Sequence, residues 1–339
     1  MSGAGSTEPP RSADAGPAGI GAGEAPQLLT IGRVSIDLYA EQLGVPLAQV
    51  QTFAKSFGGS PTNVAAAAAR LGTRSAVVTA VGDDELGAYV RSGLESFGVD
   101  TRFVRTHPTL QTPLAIAAMD PPEDPRLVFY REPAAPDEEI ELDDELLGAA
   151  RDAEIFWVAG SCLSGRLTGP TTRAMLEHRD RRRQTVIDLD YRPTFWPSED
   201  AASHAIGAAL DLATVAVGNR RECEVAVGTA DPEAAADALL EQGIELAVVK
   251  LGGDGVLVAT SAVRTRVPPV PVEVVCGLGA GDAFGGALCH ELLRGADPVA
   301  AVRYANAVGA IVASRLLCAD AMPTEPEVFE LLEENRVGA

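Results

Sequence analysis

The sequence predicts an α/β protein, a three-layer α/β/α sandwich around a mostly parallel sheet, with a small separate β-sheet as a lid over a ligand. Three observations predict it. From Asp143 onward, short apolar runs alternate regularly with helical stretches, the order that right-handed βαβ crossovers give. Between residues 101 and 131 the rhythm changes to short β segments with few helices between them, which suits a cover rather than a βαβ sheet. Near the C-terminus an alternating apolar run, 270–275, enters the turn Gly277-Leu278-Gly279-Ala280-Gly281 and leaves as an apolar helix headed by Asp282. Free N–H groups and the positive end of a helix dipole favour an anion there.

In chain order, residues 1–26 are rich in Ser, Gly, Ala and Pro and cannot offset the entropy of ordering, so a flexible tail is expected. The remainder, 27–335, reads as one domain, with lid segments at about 38–57 and 102–132. A buried strand at 28–32 is followed by 33–38, which carries Asp37. The stretch Phe57-Gly58-Gly59-Ser60-Pro61-Thr62-Asn63 opens an alanine-rich helix over 64–71, with Ser60 or Thr62 as its cap and Pro61 in its first turn. Gly58 and Gly59 allow close approach of a polyhydroxy ligand, and Asn63 offers it a donor and an acceptor. A strand (75–81), a helix running to Phe97 and β segments at 101–105, 113–119 and 127–131 follow. Then come a strand (154–159), helix (170–183), strand (185–189), helix (198–210), strand (215–217), helix (232–242), strand (246–250) and a hairpin around 252–260. The arginines 179–183 lie at a helix C-terminus, where cations are favoured, and read as a solvated face.

Four strand ends on this list carry unusual polar residues, and a parallel sheet puts them on one edge. Asp188 to Pro193 includes the planar fork of Arg192; Gly218-Asn219-Arg220-Arg221-Glu222 suits a magnesium–water shell; Lys250 to Gly255 supplies a point charge for phosphate; the 277–281 turn is the fourth. Asp282, beside the anion site, is placed to take a proton from a nucleophilic hydroxyl. A Walker A loop fails, because Asp282-Ala283 stands where Lys-Ser/Thr is needed, and the dinucleotide fingerprint fails, because its third glycine would be Asp282.

At 339 residues, 46% hydrophobic and 22% charged, the chain can bury a large core. A formal net charge of -21 disfavours nucleic acid or an anionic membrane as partner. No run of about 20 apolar residues suits a membrane span. The five cysteines have no metal-ligand spacing and read as buried apolar residues in a reducing, cytoplasmic setting.

The sequence resembles the ribokinase-type (PfkB) sugar kinases from Leu28 to about Leu332, on the two signatures 57–63 and Gly277-Leu278-Gly279-Ala280-Gly281-Asp282-Ala283-Phe284. Within them it is most similar to the 5-dehydro-2-deoxygluconokinases of inositol catabolism, on Gly32-Arg33-Val34-Ser35-Ile36-Asp37-Leu38, the Gly-Gly-Ser-Pro form of the first signature, Leu189-Asp190-Tyr191-Arg192-Pro193 with Trp196, and Ala321-Met322-Pro323-Thr324. The resemblance implies a ribokinase-like fold, ATP and Mg2+ as cofactors, a sugar-acid substrate and Asp282 as catalytic base, with the N–H groups of Gly279, Ala280 and Gly281 as anion hole. It implies sugar contacts from Asp37, Gly58, Gly59 and Asn63, with Arg131 as partner of the substrate carboxylate. On the nucleotide side it implies Asn219, Glu222, Lys250, Gly252, Gly255 and Asn306, with Arg192 beside the phosphates; Asn219 and Glu222 bear on the metal through water. Many members carry Asp-Thr where this chain has Cys276-Gly277, a departure that weakens an implied monovalent-cation site but not the base. Asp190 stands where several relatives have Asn, which leaves its role open. The exposed lid edges suggest a homodimer. The rival readings are a kinase for fructose or 2-keto-3-deoxygluconate and a non-catalytic sugar or nucleotide sensor.

Overall fold

The computed structural model describes residues 24–122 and 125–337; the expected tail falls, up to residue 23, outside the described residues. The strands are β1 (Leu28–Ile31), β2 (Ser35–Ala40), β3 (Phe53–Gly58), β4 (Ser75–Gly82), β5 (Val104–His107), β6 (Leu114–Ala118), β7 (Arg126–Tyr130), β8 (Ile155–Ala159), β9 (Gln184–Asp188), β10 (Val215–Asn219), β11 (Leu246–Lys250), β12 (Val256–Ala259) and β13 (Arg264–Val267). The helices are α1 (Ser60–Arg70), α2 (Glu85–Ser96), α3 (Asp144–Asp152), α4 (Thr168–Arg179), α5 (Glu199–Leu210), α6 (Arg220–Val227), α7 (Pro232–Glu241), α8 (Ala280–Leu293), α9 (Pro298–Ala313) and α10 (Glu325–Val337).

Among the described residues, nine strands form one sheet in the order β13-β12-β11-β10-β9-β8-β1-β4-β5, and four form a second in the order β3-β2-β6-β7. The large sheet is parallel from β11 to β5, and the β11–β12–β13 edge is antiparallel. Its inner strands β1, β4, β8, β10 and β11 are largely apolar and buried, as strands covered on both faces must be, while the edge strands β5 and β13 are polar. Leu146, Met175, Ile206 and Leu239 of α3, α4, α5 and α7 pack on one face; Val64, Phe284, Leu288 and Val308 of α1, α8 and α9 pack on the other. Parallel pairing puts the C-terminal ends of β1, β8, β9, β10 and β11 on one edge, with Ala159 opposite Asp188, and Asn219 opposite Lys250. The lid lies over that edge.

Four expectations change. Val104–His107, expected in the lid, pairs in parallel with β4 and extends the large sheet. The run 270–275 forms no ladder: Pro268, Pro269 and Pro271 remove donors a strand needs, and the alternating Val270, Val272 and Val274 instead line a cleft. The N-cap of α1 is Gly59, at φ 102 and without a side-chain cap, in place of Ser60 or Thr62; Thr62 Oγ1 instead donates back to the carbonyls of Gly58 and Gly59. Arg179 is no surface residue. It is fully buried and donates to the carbonyls of Ala150, Ala153, Glu154 and Gln184 and to Thr185 Oγ1, closing the end of α3 against β9. The five donors of a guanidinium are the reason a cation tolerates that place.

Candidate active site

The first helical residue of α8, Ala280, follows Gly279 at φ 79, a left-handed conformation, and no side chain caps the helix. The leading N–H groups are therefore free to meet an anion. A cavity lies on each side of this turn. One is floored by Asn63, Leu278, Gly279 and Asp282 and roofed by the lid residues Asp37, Tyr39, Ala115, Leu127 and Phe129. The other, a cleft of about 1100 Å³, is walled by Gly252, Gly255, Val270, Val272, Val274, Asn306 and Ala310 and reaches Gly277, Ala280, Gly281 and Lys250. The two meet at the head of α8.

Asp282 sits in the first turn of α8, where Asn63 Nδ2 donates to its Oδ2 at 2.8 Å. Burial pushes its carboxyl above the usual aspartate range, and the Asn63 bond pulls it back. Asp37 accepts from Ser35 Oγ at 2.6 Å and from Tyr39 OH at 3.2 Å, and burial pushes it up to about 6. Residues 35, 37 and 39 share one face of β2, as the two-residue period of a strand dictates. Glycine at 58 and 59 lets β2 and the Arg33 backbone pass close to the end of β3 and the start of α1. A Cβ on Gly58 would lie 1.9 Å from Asp37 Oδ2, and one on Gly59 2.3 Å from the Arg33 carbonyl. Gly58 thus makes room for Asp37 rather than for the ligand itself.

On the cleft side, Lys250 Nζ lies 3.8 Å from Asp188 Oδ1, and a Cβ on Gly281 would lie 3.5 Å from the same nitrogen. Burial pushes Asp188 up, to about 8, against the pull of Lys250. Asn219 and Glu222 close a capping box at the start of α6, Asn219 Oδ1 accepting from Glu222 N and Glu222 Oε2 from Asn219 N. That leaves Glu222 Oε1 without a protein partner among the described residues. Three metal-ligating side chains do not cluster anywhere in the described residues. The donors present suit an ion that keeps its waters and shares phosphate oxygens, as Mg2+ does.

The chain that brings together this glycine-rich helix start, a buried carboxylate and a covered polar pocket has relatives. The model of the pfkB family of carbohydrate kinases matches residues 25–325. The chain belongs to the pfkB family of carbohydrate kinases. The 5-dehydro-2-deoxygluconokinase of Geobacillus thermodenitrificans (strain NG80-2) is 30% identical over 312 residues, 90% of this chain and 92% of the relative. That of Shouchella clausii (strain KSM-K16) is 31% identical over 318 residues, 91% and 96% of the two chains. Among solved structures, the fructokinase of Xylella fastidiosa with bound ATP superposes with a TM-score of 0.80 at 27% identity, over 92% of this chain and 99% of that one. As a carbohydrate kinase, this chain is a phosphotransferase acting on a sugar hydroxyl.

In this pfkB kinase, Asp37, Gly59, Asn63, Gly279 and Asp282 line the smaller cavity, and Lys250, Gly252, Gly255, Ala280, Gly281 and Asn306 line the cleft. Asn306 Nδ2 donates to the Pro268 carbonyl at 3.0 Å. Two arginines lie elsewhere than expected. Arg131 is spent on a salt bridge: its guanidinium is held by Asp137 and Glu138, and its side chain is 7% exposed. Arg192, expected beside the nucleotide, lines the smaller cavity and donates from Nε to Asp190 Oδ1 at 3.1 Å. Cys276 is wholly buried in a cluster with Tyr39, Met119 and Cys318, whose thiols are poor donors for a hard monovalent cation. Sequence reasoning missed Arg33, Ser35 and Tyr39 as cavity residues; the period of β2 carried the signal for the last two, since both stand two residues from Asp37. All five cysteines are free and buried, and no helix of the described residues is long and apolar enough to cross a membrane.

Proposed function

We propose that this kinase transfers the γ-phosphoryl group of ATP to the 6-hydroxyl of 5-dehydro-2-deoxy-D-gluconate, a step of myo-inositol catabolism. The observation that carries the reading is the position of Asp282 at the junction of the two cavities, held by Asn63 and adjoining free helix-terminal N–H groups. The names of the relatives at about 30% identity over nine-tenths of the chain support the sugar acid. The glycine-lined cleft, with apolar walls and Lys250 at its inner end, suits an adenine nucleotide with its phosphates toward α8.

Asp282 accepts the proton of the acceptor hydroxyl as that oxygen attacks. The N–H groups of Gly279, Ala280 and Gly281 stabilise the charge on the phosphoryl group in transit, and Lys250 adds a fixed positive charge beside them. Mg2+ would supply charge neutralisation of the phosphates; Glu222, Asn219 and Asp188, whose Oδ1 accepts no hydrogen bond among the described residues, are the groups suited to its water shell. The lid excludes water from Asp282, which limits transfer to solvent.

The test is ADP release in a coupled assay across 5-dehydro-2-deoxy-D-gluconate, 2-keto-3-deoxygluconate and fructose. The first is expected to give the highest kcat/KM; a higher value for fructose overturns the substrate assignment, and no phosphoryl transfer to any acceptor favours the sensor reading. The reading includes a cytoplasmic setting, which the free thiols support, and a homodimer through the lid, which its edge strands β3 and β7 and the exposed Phe53 and Tyr130 support. Light scattering on the eluted protein tests the dimer.

A further inference from the structure

The smaller cavity holds two guanidinium groups that the transfer chemistry does not use in the same way. Arg33 leaves the end of β1 and lies on the cavity wall, 8% exposed. Its Nε donates to Ser161 Oγ at 3.0 Å, its Nη2 to Asp190 Oδ2 at 3.4 Å, and the ring of Phe195 lies 4.2 Å from its Cζ. Its Nη1 has no acceptor among the described residues and is not sealed from the cavity. A nearly buried fork with one prong unspent is prepared for a planar anion.

The local charges say the same. Asp190 is shared by Arg33, Arg192 and the Ser161 hydroxyl, so one buried carboxylate serves two cations. Burial alone would raise Asp190, but Arg192 and Arg33 outweigh it and hold the group ionised, below the ordinary range. Its backbone is strained to φ 26, which is where a non-glycine residue stays only if its surroundings impose it. Arg131, the other cation near this wall, is already matched by Asp137 and Glu138. A buried guanidinium that shares its carboxylate partner and keeps a free N–H is placed to take a ligand anion.

Position distinguishes Arg33 from Arg192. Arg192 is 48% exposed at its side chain and lies in the field of Asp190, Glu222, Asp282 and Asp188, toward the Asp282 end of the same cavity. Asp37, Asp282 and Arg33 line the same cavity, and Asp37 is near enough to feel both of the other charges. A linear sugar acid with its terminal hydroxyl at Asp282 carries its carboxylate away from the base, toward Arg33.

The geometry points to Arg33 as the residue that binds the substrate carboxylate and selects a sugar acid over a neutral sugar, an inference that rests on the sugar-acid reading above. Ser161, Asp190 and Phe195 are its positioning residues.

The test compares wild type, Arg33→Gln and Arg33→Lys with 5-dehydro-2-deoxy-D-gluconate, its carboxamide and fructose, alongside thermal melts and ATP affinity. For Arg33→Gln the preference for acid over carboxamide, as a ratio of kcat/KM, is expected to fall about 30-fold, the size of a charge-assisted hydrogen bond. Arg33→Lys keeps the charge but not the fork and is expected to fall between the two. If both variants keep the wild-type ratio, Arg33 is not the carboxylate partner. If Arg33→Gln does not fold, the ratio in Arg33→Lys decides alone: a fall supports the assignment and an unchanged ratio overturns it. Wild type that phosphorylates fructose but not the acid sinks the substrate reading and this inference with it, whereas acid turnover with unchanged ratios sinks the inference alone.

Discussion

Asn63 and Asp282, 219 residues apart in the chain, meet in a 2.8 Å hydrogen bond that ties the start of α1 to the start of α8. The bond engages Asp282 Oδ2 and holds the carboxylate at the head of α8. Asp282→Asn keeps the shape and removes the basicity. Turnover is expected to drop by at least about 10²-fold, the usual contribution of a positioned base, while ATP binding by calorimetry stays at the wild-type value. Near-normal turnover would show that another group takes the proton.

The same bond sets a pH dependence. Asp282 must be ionised to act, and burial raises its pKa, so the acid limb of kcat/KM is expected above the ordinary aspartate range, with activity lost as pH falls through it. Asn63→Ala removes the bond that favours the ionised form, so the limb should move to higher pH. An unmoved limb in that variant disproves the assignment. Asp37 has a separate signature, in stability. Its folded pKa of about 6 exceeds the ordinary carboxylate value, so the folded state keeps a proton that the unfolded chain has lost. Its stability contribution is full below about pH 4 and is lost as pH rises through about 6. Urea midpoints for wild type between pH 4 and 7 should fall with this slope relative to Asp37→Asn.

The geometry at the head of α8 depends on how closely α8 approaches α1. A Cβ on Gly286 would lie 2.6 Å from both the Val64 carbonyl oxygen and Ala67 Cβ, and one on Gly285 2.6 Å from the Trp157 ring. Gly286→Ala must push the helices apart, which costs about 1–3 kcal/mol of overpacking strain. Because Asn63 and Asp282 lie on these two helices, kcat should fall with stability. A variant that loses stability at constant kcat would show that the site floor is independent of this contact.

The large sheet and the small second sheet were legible because their signals are local. Strand–helix alternation names a parallel sheet, and a glycine turn ending in Asp282 marks the helix start where the candidate site residues gather. What was not legible depends on contacts far apart in sequence. Asp137 and Glu138 stand only six and seven residues from Arg131, yet nothing in that stretch says that they take its guanidinium, and nothing near Arg33 ties it to Ser161 and Asp190. The valines of 270–275 alternate like a strand, and only the three prolines beside them tell against it. Val104–His107 could join either sheet by composition; its partner β4 decides.

Arg179 is the clearest case of local chemistry misleading, since basic residues at a helix C-terminus usually face water. Here the guanidinium is fully enclosed, burial and the charge of Arg183 lower its pKa to about 10, and four main-chain carbonyls and one hydroxyl surround it. Those carbonyls end α3 and flank β9, so each would be left unsatisfied without it. Lysine has a single ammonium in place of the fork and cannot reach all five acceptors. Arg179→Lys is therefore expected to destabilise the fold by about 3–5 kcal/mol, the cost of leaving several buried polar groups unpaired. Because Arg179 touches neither cavity, KM for ATP should not change. A urea midpoint equivalent to a loss under about 1 kcal/mol would mean that water replaces the guanidinium at those carbonyls.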